Sequence, residues 1–282
     1  MINPSDKRGS VGVIGSVGDD CYGQTYYDLL DQENIKPIFE KFPDNNTAIC
    51  GVFCHGRDSG HVTDFGASFK ISDEFVDANW DKIKGAQLVF TELFIIKHKR
   101  DTVFKLAELG SQDEKIFGFN LPSYFFIENY FDDIKSLIEY GDVIFVNAEE
   151  SIFFAKMNGL ETNDFGLISE FIAKYPKKNP LKKRTVVITC GPNPAYCCEY
   201  DHISNEISFN GTFEPDTVEE DDIIDTNAAG DAFAGGFLSQ YMPGKPLNEC
   251  MKAGHWAAAL VIQRRGCQYP VDCEFGKNWI FS

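Results

Sequence analysis

The chain has 282 residues, 43% hydrophobic and 24% charged, with 25 phenylalanines, which is enough apolar material for a well-filled core and excludes a disordered chain. Its formal charge of −17 opposes nucleic acid as a partner, because phosphate binding calls for a cationic surface. Nine cysteines without paired CxxC spacing read as reduced thiols of an intracellular, cytoplasmic or nuclear protein; MINPSDKRGS has no apolar stretch, and no window approaches 18 apolar residues, so neither a secretory leader nor a membrane span is expected.

Short β-rich runs alternate with amphipathic stretches. The expected strands are VGVIGSVG (11–18), AICGVFC (48–54), QLVFTEL (87–93), KIFGFNL (115–121), DVIFVN (142–147) and TVVITCG (185–191). Helices are expected over 22–32, 73–83, 99–110, 124–139, 164–175, 229–241 and 247–265. This order predicts an α/β fold, a doubly wound, mostly parallel sheet with helices on both faces, in a single domain spanning 1–282. The basic stretch KYPKKNPLKKR (174–184) reads as a solvated connector. Residues 192–224 break the alternation and suggest short antiparallel strands with turns at Asn210-Gly211 and Pro215-Asp216.

Ligands of open parallel sheets lie beyond the carboxyl ends of the strands, so residues just after each run are the ones to inspect. DTNAAGDAFAGG (225–236) places Asp225 and Asp231 around small residues. A helix starting near Ala228 or Ala229 would offer unpaired N–H groups to an anion, and Asp231 in its first turn would be placed to take a proton from an attacking hydroxyl. A plain helix cap fits the same residues. In NAEE, Asn147 and Glu150 would either organise hydrated magnesium or form a capping box. GSVGDDCYG (15–23) offers a glycine-rich turn, and His255 sits inside the apolar stretch KAGHWAAALVIQ, as a core histidine or beside a ligand.

Taken together, GSVGDDCYG, NAEE and DTNAAGDAFAGGFLSQ, in that order, resemble the signatures of the ribokinase-like carbohydrate and nucleoside kinase family. FNLPSYFF (119–126), EEDDIIDTNAAGDAFAGGFLSQ (219–240) and AGHWAAALVIQRRGCQYP (253–270) extend the resemblance over residues 10–275. It implies transfer of the γ-phosphoryl of ATP, with Mg²⁺, to the 5′-hydroxyl of a nucleoside, adenosine, by a monomeric protein. It implies Asp231 as general base; Ala228, Ala229 and Gly230 as the anion hole; and Asn147 and Glu150 as organisers of magnesium water and phosphate, with no direct metal ligand. Thr189, Gly191 and His255 would line the nucleotide, Phe125 would pack on the adenosine ring, and Arg57 would serve a small β lid around 45–70. The family's N-terminal portion, with its first strand and ribose-holding aspartate, finds no counterpart before GSVGDD, so the lid is expected to be incomplete. A sugar kinase, or a catalytically impaired pseudokinase binding nucleotide or a protein, would follow from the same motifs. The family has glycine where this chain has Ala228; with φ > 0 there, the methyl costs about 1 kcal/mol or more.

Overall fold

A computed structural model describes residues 10–55, 58–270, 273, 275 and 276. Arg57 lies outside the described residues. The chain forms two compact units, residues 2–85 and 86–282, each described by itself.

In the first unit, β1 (Gly12–Gly18) pairs in parallel with β2 (Lys36–Phe42) across α1 (Cys21–Gln32). Val17, Leu30 and Phe39 form its small core, with Tyr26 stacked on Phe39 and Tyr27 edge-on to it. The glycine-rich turn after β1 is a structural knot. Asp20 caps α1 by accepting the Gly23 N–H at 2.8 Å, and it also accepts the Thr47 N–H and hydroxyl, each at 2.7 Å. These bonds, the Thr47 hydroxyl first, lower the Asp20 pKa. A Cβ on Gly18 would lie 2.4 Å from the Asn45 carbonyl oxygen, so only glycine allows that loop to close over the strand end.

The strands β3 (Ile49–His55) and β4 (Asp58–Asp64) form a separate antiparallel hairpin. The runs at 11–18 and 48–54 are therefore strands, as their pattern predicts, but they pair outside the principal sheet. Apolar periodicity fixes which way side chains point and leaves the partner open. The helix expected over 73–83 is two, α2 (Asp73–Ala78) and α3 (Trp80–Lys84), parted at Asn79, whose φ of −104° and ψ of 7° leave the helical region.

The second unit carries β5 (Leu88–Glu92), α4 (Ile96–Gly110), β6 (Ile116–Asn120), α5 (Tyr124–Asn129), α6 (Phe131–Ile138), β7 (Val143–Asn147), α7 (Ala148–Met157) and α8 (Phe165–Ala173). After these come β8 (Arg184–Cys190), β9 (Asn193–Asp201), β10 (Glu206–Phe213), α9 (Ala229–Tyr241) and α10 (Leu247–Ile262). Among the described residues they form a six-stranded sheet in the order β10-β9-β8-β7-β6-β5. The four strands β5 to β8 run parallel, β9 pairs antiparallel with β8, and β10 pairs antiparallel with β9.

The uninterrupted apolar run of β7 follows from burial on both faces. Val143 and Phe145 pack with Val187 under Phe233, Phe237 and Met251 of α9 and α10. Ile144 and Ile188, turned the other way, are equally buried, as are Phe154 of α7 and Ile168 and Ile172 of α8. The two helices on the first face lie unusually close, because a Cβ on Gly236 of α9 would stand 2.3 Å from the Ala253 carbonyl oxygen of α10.

Two expectations from the sequence do not hold in the fold. Asn210-Gly211 is inside β10, and the chain reverses earlier, where Asp201 accepts the Ile203 and Ser204 N–H groups at 2.9 and 3.2 Å and Asn205 takes φ 56°. An Asx turn displaces the more familiar Asn-Gly signal. The basic connector is not simply solvated either. Lys177 and Lys182 both pair with buried Asp142, at 2.7 and 2.5 Å, and fully buried Arg184 donates to the carbonyls of Ile138, Gly141 and Pro176. Burial, ahead of the opposing pull of Asp142, lowers the Lys177 pKa to about 7. Three cations thus close the amino-terminal end of the sheet, where the sequence suggested a solvent-facing charge run. Among the described residues no helix is long and apolar enough to cross a membrane.

Candidate active site

The carboxyl ends of the parallel strands bring polar residues to one edge. Glu92 ends β5, Asn120 ends β6 and Asn147 ends β7, while Thr189 lies beside Asn147 in β8. Glu92 and Asn120 are register partners, and the Asn120 amide donates to a Glu92 carboxylate oxygen. The Asn120 side-chain carbonyl oxygen is buried and has no hydrogen-bond partner.

Asn147 is the N-cap of α7. It accepts the Glu150 N–H at 2.8 Å through Oδ1 while its own N–H donates to Glu150 Oε2 at 3.3 Å, a complete capping box. Burial, partly offset by this bonding to Asn147, raises the Glu150 pKa to about 6. Helix α7 itself had only this capping pattern as its signal in the sequence.

α9 begins with Ala228 as its N-cap in the left-handed region, φ 61° and ψ 10°, and no side chain caps the helix. Ahead of it, Asp225 accepts the Asn227 N–H at 2.9 Å and side-chain amide at 2.6 Å and, through its other oxygen, the Gly266 N–H at 2.8 Å. The Asp225 carboxylate thus ties the approach to α9 to the chain leaving α10, and these bonds, that of the Asn227 N–H first, lower its pKa. The Ala229 N–H turns back to the Thr226 carbonyl at 3.3 Å. Around Gly230 a Cβ would meet nothing within 4 Å, so the first turn opens on free space. A helix start of this kind, with uncapped N–H groups at the positive end of the dipole, is suited to an anion.

Asp231 stands in that first turn, and burial raises its pKa. Its neighbour in charge is Glu92, whose pKa rises to about 7, first through burial, then through the charge of Asp231, with Glu150 adding to it and the Asn120 amide opposing. The structure therefore gathers Asp231, Glu150, Asn147, Glu92 and Asn120 at the end of the sheet. The first three were expected from the sequence. Glu92 and Asn120 were not, and the available signal was their position as the last residues of strand runs.

His255 is 8% exposed, meets Phe233 edge-on at 5.1 Å, and has an Nε2 without a hydrogen-bond partner. Burial lowers its pKa, so it stays neutral near pH 7. Gly191, just past β8, has φ 58° and open space on its side-chain side. Phe125 in α5 is 59% exposed, edge-on to Phe126, whose ring in turn meets Phe94 at 4.8 Å. Among the described residues no group of three or more His, Cys, Asp or Glu side chains could hold a metal ion.

The model of the pfkB family of carbohydrate kinases matches residues 6–273. The chain is 30% identical over 270 residues to adenosine kinase of Dictyostelium discoideum and 29% identical over 269 residues to adenosine kinase 1 of Arabidopsis thaliana, covering 95% of this chain and 76% of the relative in each case. The crystal structure of Anopheles gambiae adenosine kinase in complex with P1,P4-di(adenosine-5) tetraphosphate is 28% identical. It superposes with a TM-score of 0.84 over 92% of this chain and 76% of that one.

Proposed function

Because the chain belongs to the pfkB family of carbohydrate kinases, we propose that it transfers the γ-phosphoryl group of ATP to the 5′-hydroxyl of adenosine, giving AMP and ADP. The observation that carries this reading is the start of α9, where an uncapped helix N-terminus and the carboxylate of Asp231 occupy one turn. The relatives supply the substrate: they are adenosine kinases, and the Anopheles neighbour holds adenosine at both ends of a tetraphosphate.

Asp231 accepts the proton of the 5′-hydroxyl as its oxygen attacks phosphorus, and the bond to the ADP oxygen breaks in line. N–H groups of the Ala228-Ala229-Gly230 turn face the oxygens of the transferring group, where negative charge concentrates, that of Ala229 on leaving its long 3.3 Å bond to the Thr226 carbonyl. Thr189, Gly191 and neutral His255 line the nucleotide, and the exposed ring of Phe125 packs on adenine.

Asn147 and Glu150 fit a magnesium ion that arrives with ATP and keeps most of its water. They offer oxygen acceptors at a strand end. Such an ion would neutralise phosphate charge. The capping box holds both side chains in place, so the cap and the proposed chemical role coincide in the same residues.

The deciding measurement is ADP release by the 282-residue chain with adenosine, ATP and Mg²⁺, with ribose and fructose as alternative acceptors. Turnover on adenosine that disappears in Asp231→Asn supports the reading. Turnover only on the sugars would replace it.

A further inference from the structure

The site has two chemically different walls. One is the start of α9, which presents N–H donors. The other is the row of strand ends, which presents acceptors: Glu92 on β5, the Asn120 carbonyl on β6, and Glu150 just after β7. A phosphate is served by the first wall and disfavoured at Glu92, which already feels the charges of Asp231 and Glu150. With Glu150 beside Asn147 left to a hydrated cation, the Glu92–Asn120 end of the second wall can receive a neutral group rich in O–H donors.

Two details point the same way. One oxygen of Glu92 is held by the Asn120 amide, which fixes the carboxylate and leaves the other oxygen to accept. On the adjacent strand the Asn120 carbonyl oxygen is buried without a donor, a state that costs free energy until a ligand supplies one. These acceptors sit on register-paired residues of neighbouring strands, so that two hydroxyls on adjacent carbons could be met one by each.

We infer that Glu92, fixed by Asn120, is the residue that receives the ribose hydroxyls of the nucleoside while Asp231 addresses its 5′-oxygen. The inference rests on the adenosine-phosphorylating reading above. It makes Glu92 a substrate-binding residue whose job is to distinguish a ribonucleoside from its deoxy analogues.

The test is titration calorimetry with adenosine, 2′-deoxyadenosine and 3′-deoxyadenosine on the unaltered chain, Glu92→Gln and Glu92→Ala, with ADP release measured in parallel. Glu92 keeps much of its residue surface in solvent although its carboxyl is crowded by neighbouring groups, and the glutamine variant preserves its volume, so both variants should fold. The unaltered chain should bind adenosine about tenfold or more tightly than at least one deoxynucleoside, the range of a hydrogen bond to a charged group. In Glu92→Ala the three affinities should converge to within about threefold, with glutamine intermediate. An unchanged preference in Glu92→Ala, or no preference in the unaltered chain, overturns the assignment. So does a gain in ATP affinity in Glu92→Gln with the nucleoside preference intact, which would make Glu92 a neighbour that repels phosphate. Adenosine binding without ADP release would sink the transfer reading and leave the Glu92 contact standing. ADP release with unchanged discrimination would sink the Glu92 assignment alone.

Discussion

Asn147 and Glu150 hold each other reciprocally at the start of α7, each side chain accepting the other's backbone N–H. A helix cap and a phosphate-organising pair are usually weighed as alternatives, but the observed cap leaves the proposed role open to the same two residues. Asn147→Ala should therefore lower stability by about 1 kcal/mol, the cost of a lost N-cap, and depress kcat by more than partial unfolding explains. Denaturant titration alongside activity per folded molecule measures both. Wild-type kcat in a fully folded variant would reduce Asn147 to a cap.

Asp231→Asn removes the proposed base without changing shape. The expected loss in kcat is about 10²–10⁴-fold, with adenosine affinity by calorimetry within about threefold of the unaltered chain, because an amide retains hydrogen bonding at the same place. Steady-state turnover and binding together make the check. Turnover within tenfold of the unaltered chain would exclude Asp231 as the base.

The Ala228 φ of 61° places a methyl group in a region that disfavours side chains. Ala228→Gly should stabilise the chain by about 0.5–1 kcal/mol, the left-handed penalty less the extra freedom glycine gives the unfolded state. Scanning calorimetry would read this as a rise of about 1–4 °C in Tm. A fall in Tm would show that the surrounding bonds have already relaxed the strain.

The pH dependence of stability should report Glu92. Its folded pKa, about 7, lies above the usual glutamate range, so the folded state holds a proton that the unfolded state has released. Stability from this group is full below the unfolded pKa and declines as pH rises through the folded one. Glu92→Gln should thus gain on the unaltered chain between about pH 4.5 and 7 and keep a constant advantage above that. Urea midpoints across that range would show it, and parallel curves would place Glu92 in ordinary solvent.

Lys177→Met should destabilise by about 3 kcal/mol, the low end for breaking a buried pair, since Lys182 still faces Asp142. Activity per folded molecule should be unchanged, because this cluster closes the amino-terminal end of the strands. Denaturant unfolding with an activity assay separates the two effects.

How far the fold was readable depends on what each signal encodes. The apolar runs placed β5 to β8 within a residue or two, because strands buried on both faces leave an unbroken Val/Ile/Phe record. The same signal could not say that β1 pairs with β2, since pairing is decided by chain connectivity and not by local pattern. Lys177, Lys182 and Arg184 looked solvated because their partner, Asp142, is more than thirty residues away in sequence. At the site, spacing marked Asp231, Asn147 and Glu150 as caps or as site residues alike, and only the order of the three motifs, which carries the family resemblance, favoured the site. Glu92 was hidden because a charged residue closing a strand is ordinary until the ends of its neighbours are seen beside it. Ala228 posed its question in the sequence, and only the backbone angle answered it.

The bare notch at Gly236 gives the proposed reaction a mechanical reference point. Five residues separate it from Asp231 along α9, about 7.5 Å of helix rise, so the helix that aims the carboxylate is registered against α10 by the absence of a side chain. Even one methyl group there would have to push α9 away from its neighbour and carry Asp231 with it. An alignment fault introduced in the apolar interior would then surface as a chemical one, in an enzyme whose polar residues were all intact.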